Sequence, residues 1–415
     1  MRNIFHRPFF LLILALLIPL LLSGCWSRRE IDKLGFVGAV AIDQAEDPNL
    51  LEVTAQFILP KALAPGGAET TGSGGVGSKV WLISAQGPTV FETLFKINSL
   101  APNYLFFGHQ SSVIIGEEVA KKGVKQFLDS FDRMPQLRRN VWIVVTPGKA
   151  KSVLQARPKL QDIPSLTIEN LFAHQEITSV SYPSNLNTFF INLSSRSTSP
   201  IAARLTTTPN REATESTWSQ VTGEADRREM KLEGSAVFKQ DRLAGWLDGR
   251  ETRGVLWVQN KMKRGTITFP NKEGNQKYVT LEVLASQRKM HTFIKDGKLF
   301  VNLRIIFDTN LVEQTSNADI LSKGLFNEKD TVNAFNSVVS SQVKGEIDAA
   351  VKKAQQYKTD VFGIGERFYI EHPQEFKKLQ KNWPEIFAQA EFTTDIKVKI
   401  RRVGLINRSI NAQKK

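Results

Sequence analysis

The chain has 415 residues, a formal net charge of +14 and a single cysteine. One cysteine excludes a disulfide framework and any sulfur-rich metal site, so the fold must stand on its apolar core. About 390 residues beyond the leader exceed what one core usually organises, so two or three domains are expected.

Arg2 and Arg7 precede an uncharged apolar run from Phe9 to Leu22, the layout of a signal peptide. The run is shorter than the roughly 20 residues a membrane helix needs, and Pro19 lies near its end. It closes on Leu22-Ser23-Gly24-Cys25. Small residues suit a signal peptidase, and the Cys25 thiol stands where bacterial lipoprotein processing attaches diacylglycerol. The segment resembles a lipobox; a plain secretory peptide with a chance cysteine is the alternative. Residues 1–24 are expected to be removed, and Cys25 is the lipidation site. Loss of Arg2 and Arg7 leaves a mature charge of about +12. On an exported, tethered chain that charge meets anionic headgroups and no nucleic acid.

Phe36–Ile42 reads as a buried strand, and Leu51, Val53, Ala55 and Phe57 alternate with Glu52, Thr54 and Gln56 as in a second. Val80–Ser84, Val113–Ile115 and Val141–Val145 are further strands. Two helical patterns lie between them. One follows Pro88 and buries Val90, Phe91, Leu94 and Phe95; the other sets Val124, Phe127, Leu128 and Phe131 on one face. Residues 25–193 thus read as an N-terminal α+β domain. Residues 194–228, rich in Ser, Thr, Arg and Glu, read as a linker or surface excursion.

Residues 229–406 form a second α+β region, divisible into 229–275 and 276–406, before a basic tail at 407–415. Its strands are Gly234–Phe238, Val255–Val258, Ile267–Phe269, Val279–Ala285 and Leu299–Phe307, the last entered through an Asp296-Gly297 turn. Val332, Phe335, Val339, Val343, Ile347, Val351 and Ala354 then recur at helical spacing over one long helix capped by Asn327 or Asp330. The final strand, Phe392–Ile406, sets Ile396, Val398 and Ile400 against Lys397, Lys399 and Arg401, as a half-buried edge strand does.

Catalytic chemistry is hard to find. Gly72-Ser73-Gly74-Gly75-Val76-Gly77 spells G-x-G-x-x-G, but a phosphate loop must open a helix and a strand follows here; residues 62–78 read as a surface loop. His109, His174, His291 and His372 show no metal-ligand spacing, and His109 reads as a strand cap or core edge. Ser341 and Lys344 form an S-x-x-K without its companion motifs. A carboxylate pair for glycoside chemistry is a spatial property and stays open. The expectation is a chain that is not an enzyme, with no cofactor and no metal site.

Several segments together resemble the Ger(x)C family, the lipoprotein C subunits of spore germinant receptors. They are Gly24-Cys25-Trp26 with Arg28 to Asp43; Thr54-Ala55-Gln56-Phe57 before Pro60; Leu105 to His109; and Arg138-Arg139 before Trp142. The second half adds Gly234 to Phe238 with Leu243 and Gly245, Glu251-Thr252-Arg253-Gly254 with Trp257, Asp360 to Glu366, Trp383, and Lys397 to Gly404. Physically, Gly234, Gly245 and Gly254 would serve turns or close backbone approach, Glu251 to Arg253 a salt-bridged turn, and Trp257 and Phe362 the core. The resemblance implies a multidomain α+β ectodomain without catalytic activity on the outer face of the spore inner membrane. It would work beside a polytopic A subunit and an integral-membrane B subunit, to which the nutrient site is attributed. Whether this chain binds a small molecule stays open. The rival reading is the solute-binding lipoprotein of a transporter, which would show two similar lobes around a cleft; a surface hydrolase is a third.

Overall fold

The computed structural model describes residues 33–59, 80–209, 228–270, 278–314 and 329–402. The leader, Cys25, the Gly-rich segment at 62–78 and the tail at 407–415 lie outside the described residues.

β1 (Leu34–Gln44) pairs antiparallel with β2 (Leu51–Ile58), which pairs with β3 (Val80–Gly87). Helix α1 (Val90–Leu100) leads to β4 (Tyr104–Phe106) and β5 (Ser112–Gly116), both parallel to β1 along its other edge. α2 (Glu117–Lys122) and α3 (Lys125–Asp132) carry the chain to β6 (Trp142–Thr146). α4 (Lys151–Leu154), α5 (Pro164–Thr178) and α6 (Leu186–Ser194) carry it on to β7 (Ile201–Pro209). β5, β6 and β7 are parallel neighbours, and β8 (Arg228–Lys239) and β9 (Arg242–Leu247) finish the sheet antiparallel. The order is β3-β2-β1-β5-β6-β7-β8-β9.

Parallel strands need helical crossovers, and helices on both faces demand strands apolar on both sides. Val37, Val40 and Ile42 therefore face a core shared with α1, α2, α3 and α6, while Ala39 and Ala41 face a core shared with α4 and α5. The same double cover buries both faces of β2, whose Thr54 and Gln56 are fully buried despite the alternation. Gln56 Oε1 accepts from Ser165 N at 3.1 Å, and the Thr54 hydroxyl meets that of Ser84 at 2.8 Å.

Three expectations fail in this half. α1 buries Val90, Thr93, Leu94 and Ile97, leaving Phe91 and Phe95 exposed. The stripe that meets the sheet is set by Thr93, whose hydroxyl donates to Thr89 O at 2.6 Å and packs so tightly on Gly87 that a Cβ there would stand 2.5 Å away. Phe91 and Phe95 fall on the neighbouring stripe. Second, Ile201–Pro209, expected within a linker, is β7, with Ile201, Ala202, Ala203 and Leu205 fully buried; residues 210–227 lie outside the described residues. The Ser/Thr bias misled because Thr206, Thr207 and Thr208 are strand residues. β8 and β9, expected in the second region, belong to this first sheet.

The second sheet has the order β10-β11-β12-β13, from β10 (Gly265–Pro270), β11 (Tyr278–Lys295), β12 (Lys298–Gln314) and β13 (Glu391–Arg402). A cut at 275/276 would therefore divide one sheet, because β10 pairs with β11. Asp296 and Gly297 turn the long β11–β12 hairpin with φ of 52° and 77°, as a two-residue turn with both centres left-handed requires. Val255–Val258, expected as a strand, is the second half of α7 (Gly249–Val258). A short apolar run cannot distinguish a strand from a buried helix. Here Asp248 decides: its carboxylate accepts from Glu251 N at 2.7 Å, and Glu251 Oε2 accepts from Asp248 N at 2.9 Å, a reciprocal cap that starts a helix.

The long helix α8 (Lys329–Tyr357) buries Val339, Val343, Ile347, Ala350 and Ala354 against α7 and the second sheet. Asn327 lies outside the described residues, and Asp330 falls inside the helix. Three short helices, α9 (Ile364–Glu371), α10 (Pro373–Leu379) and α11 (Trp383–Ala388), lead into β13, which runs parallel to β12 along the sheet edge with Lys397 and Lys399 exposed and Val398 buried. The chain is an α+β protein. No helix among the described residues is long and apolar enough to cross a membrane.

Candidate functional site

β1, β5 and β6 are parallel, so their amino ends collect along one edge of the first sheet. The residues preceding β5 and β6, with α5 beside them, line a half-open cleft of about 460 Å³. His109, Arg138, Asn140 and Glu169 form its exposed polar rim, and Phe36 and Trp142 part of its wall. His109 leans on the rings of Phe36 and Phe106, with centroids 5.6 and 5.9 Å away. It is thus an edge residue packed against aromatics. Gln110 beneath it is buried, donates to Ser112 O at 3.1 Å, and leaves its Oε1 without a hydrogen-bond partner.

In open α/β sheets ligands sit outside the carboxyl ends of the strands. In this sheet the chain itself closes that opposite edge. Asp43 near the end of β1 accepts from Ala150 N at 2.6 Å and Lys151 N at 2.8 Å, binding the start of α4 to the sheet. Burial raises the Asp43 carboxyl above its ordinary range, against the pull of those two N–H groups. A Cβ on Gly116 would stand 2.2 Å from Asp43 Oδ1, so that position admits only glycine.

The sequence blocks of the second half converge on the joint between the two sheets. Arg253 Nε donates to Glu346 Oε1 at 3.0 Å and Trp257 Nε1 to Glu346 Oε2 at 2.8 Å, so two side chains of α7 share one carboxylate of α8. Arg253 thus reaches another helix, and the expected local salt-bridged turn is instead the cap of α7. Gly254 lets the helices touch: a Cβ there would stand 2.2 Å from Glu346 O. The Thr252 hydroxyl donates to that of Ser235 at 3.1 Å, joining α7 to β8. Gly234, at φ 79°, passes under Leu247 O, and Gly245 under the ring of Tyr357.

Asp360 is the second hub. Its carboxylate accepts from Phe362 N and Ile364 N at 3.1 Å, from Gly365 N at 2.7 Å and from Trp383 Nε1 at 3.1 Å. Complete burial raises its carboxyl, opposed by those four donors. Trp257, Phe362 and Trp383 are buried, as expected of core aromatics. Glu346 takes one donor on each oxygen and Asp360 two on each, which suits both to hold elements together.

Two of the four histidines, His291 and His372, meet at one contact between β11 and the end of α9. His291 Nδ1 lies 3.4 Å from Glu371 Oε1, His372 Nε2 lies 3.0 Å from Thr292 O, and His174 is exposed on α5. No cluster of three or more metal-ligating side chains occurs among the described residues. Of the functional residues, the sequence reading missed Asp43 and Glu346, single acidic residues without a local motif. The Asp248–Glu251 pair was missed too, although its spacing is that of a capping box.

A mixed sheet covered on both faces, joined through buried polar hubs to a second sheet wrapped on one long helix, defines a multidomain α+β class. Residues 27–207 match the family described as Spore germination protein N-terminal domain, and residues 233–404 the one described as Spore germination B3/ GerAC like, C-terminal. The chain belongs to the Ger(x)C family of spore germination proteins, as its ordered segments implied. It is similar to spore germination protein KC of Bacillus subtilis (strain 168), 26% identical over 421 residues that cover 98% of each chain. It is also similar to spore germination protein B3 of the same organism, 24% identical over 396 residues, 94% of this chain and 96% of that one. The crystal structure of the GerBC protein shares the fold, with a TM-score of 0.53 at 20% identity over 87% of this chain and 96% of that chain.

Proposed function

We propose that this chain is the lipid-anchored, non-catalytic C subunit of a spore nutrient germinant receptor, docking with A and B membrane subunits so that nutrient triggers germination. The observation that carries the reading is similarity along nearly the whole chain to spore germination proteins, behind a segment at Cys25 that resembles a lipobox. The two halves are unlike in topology, which disfavours a two-lobed solute-binding lipoprotein. A docking subunit holds its complex in the responsive arrangement, so its loss removes a response. Spores lacking the gene are expected to lose dipicolinic acid release to the nutrient their receptor serves and to keep release triggered by a bypassing surfactant. Normal release to every candidate nutrient, after deletion of any receptor of overlapping range, would refute the assignment.

The anchor has its own test. Two acyl chains at roughly 0.8 kcal/mol per buried CH₂ hold a protein on a membrane far longer than basic residues, whose attachment is reversible and salt-sensitive. Cys25→Ala is expected to abolish incorporation of an alkynyl fatty acid and to release the chain from membranes in high salt. Label persisting in the variant would place the lipid elsewhere.

A further inference from the structure

Three of the exposed large apolar side chains of the first half, Phe91, Phe95 and Leu100, lie on α1. Its inner stripe meets β2 and β3, so Phe91 and Phe95, one turn apart, stand 61% and 70% exposed. Between them and the segment Met134–Gln136 runs an apolar groove of about 300 Å³, floored by Leu94, Leu105 and Phe107. Leu100 at the end of α1, 60% exposed, extends the stretch. Single exposed apolar residues are ordinary, whereas neighbouring aromatics on the lip of an apolar groove mark a contact surface.

The chain itself indicates what that surface meets. β4 lies beside the first residues of β1, with Leu34 opposite Tyr104 and Gly35 opposite Leu105, so the floor of the groove adjoins the first residues of β1. Cys25 lies nine residues before Leu34. At 3.3–3.6 Å per residue the connecting chain reaches about 30 Å at most, comparable to the diameter of a small domain. A lipid on Cys25 therefore holds the start of β1, and the groove beside it, within that distance of the bilayer surface. The segment that walls the groove continues from Met134–Gln136 to Arg138, which is exposed on the rim of the amino-end cleft and suited to an anionic headgroup. Exposed aromatic side chains beside the Glu92–Lys96 ion pair, 2.9 Å apart on α1, match the apolar part of the membrane-interface chemistry, and Arg138 follows two residues past the groove wall.

We propose that the outer face of α1, led by Phe91 and Phe95, rests in the interfacial layer of an anionic lipid bilayer and fixes the orientation of the tethered ectodomain. This rests on the lipid anchor proposed at Cys25. The occupant is the lipid surface; an integral-membrane protein seated on the same face is the competing outcome.

The test uses the full acylated chain in vesicles of phosphatidylglycerol and phosphatidylethanolamine. With Cys25 acylated, Phe95→Cys supplies the only free thiol and, being exposed, leaves the core intact. A fluorophore there is expected to shift to the blue and to lose emission at least about twofold to a nitroxide carried in the upper acyl region. The same label at Asn170→Cys, exposed on α5 across the sheet, is expected to stay unquenched. A vesicle-bound chain whose label at 95 resembles that at 170 overturns the proposal. So does shielding of 95 that appears only after integral-membrane subunits are added, which gives the face to a protein. Failure of the anchor is separate, because the chain would then not float with the vesicles.

Discussion

Asp360→Ala is expected to destabilise the fold by roughly 3 to 5 kcal/mol, the cost of stranding buried donors that shared one charged acceptor. The methyl group accepts nothing, so the backbone N–H groups of Phe362, Ile364 and Gly365 and the indole N–H of Trp383 all lose their partner in an interior closed to water. Two of those donors begin α9, Phe362 N lies just before its cap, and the indole comes from α11, so the variant loosens the whole helical passage into β13. Urea unfolding of the ectodomain measures the effect, and Asp360→Asn, which keeps one acceptor oxygen, is expected to fall between variant and wild type. A midpoint unchanged in Asp360→Ala would mean that the passage is held by its aromatic packing alone.

Trp257→Ala is expected to cost about 3 to 5 kcal/mol by a different route, through lost packing. The indole is 1% exposed, lies with its centroid 4.8 Å from that of Phe307 on β12, and holds Glu346 on α8. Truncation opens a void between the long helix and the second sheet and leaves Glu346 to Arg253 alone. Thermal melting decides. A melting temperature equal to wild type together with lost partner binding would make Trp257 an interface residue.

Much of this architecture was legible because it is periodic. The apolar run of β1, the alternation of β13 and the stripe of α8 from Val339 to Ala354 each state their environment locally. What stayed hidden depended on distant partners. Phe91 and Phe95 have the same chemistry as buried phenylalanines, and they face outward because Val90, Thr93, Leu94 and Ile97 form the stripe that meets the sheet. Val255–Val258 is apolar enough for either regular structure, and the cap three residues upstream of Glu251 was the deciding signal. The threonines of β7 resemble loop composition until the sheet on either side is known. The Gly positions of the family blocks were readable as structural, but a partner such as Glu346 for Gly254 lies far along the chain, and the role of Asp360 shows only once Trp383 is beside it.

The two matched stretches, 27–207 and 233–404, look like interchangeable modules in sequence, yet β7 from one and β8 from the other are hydrogen-bonded from Ile201 opposite Val237 to Pro209 opposite Arg228. Severing the chain between them would bare a long strand edge on each fragment, and bare edges recruit other chains. Hybrids that exchange halves between relatives should therefore keep β8 and β9 with the amino-terminal portion and change parentage after Leu247, where the first sheet is complete. Even there the incoming α7 must bring a threonine able to reach Ser235, because that hydroxyl pair crosses the seam.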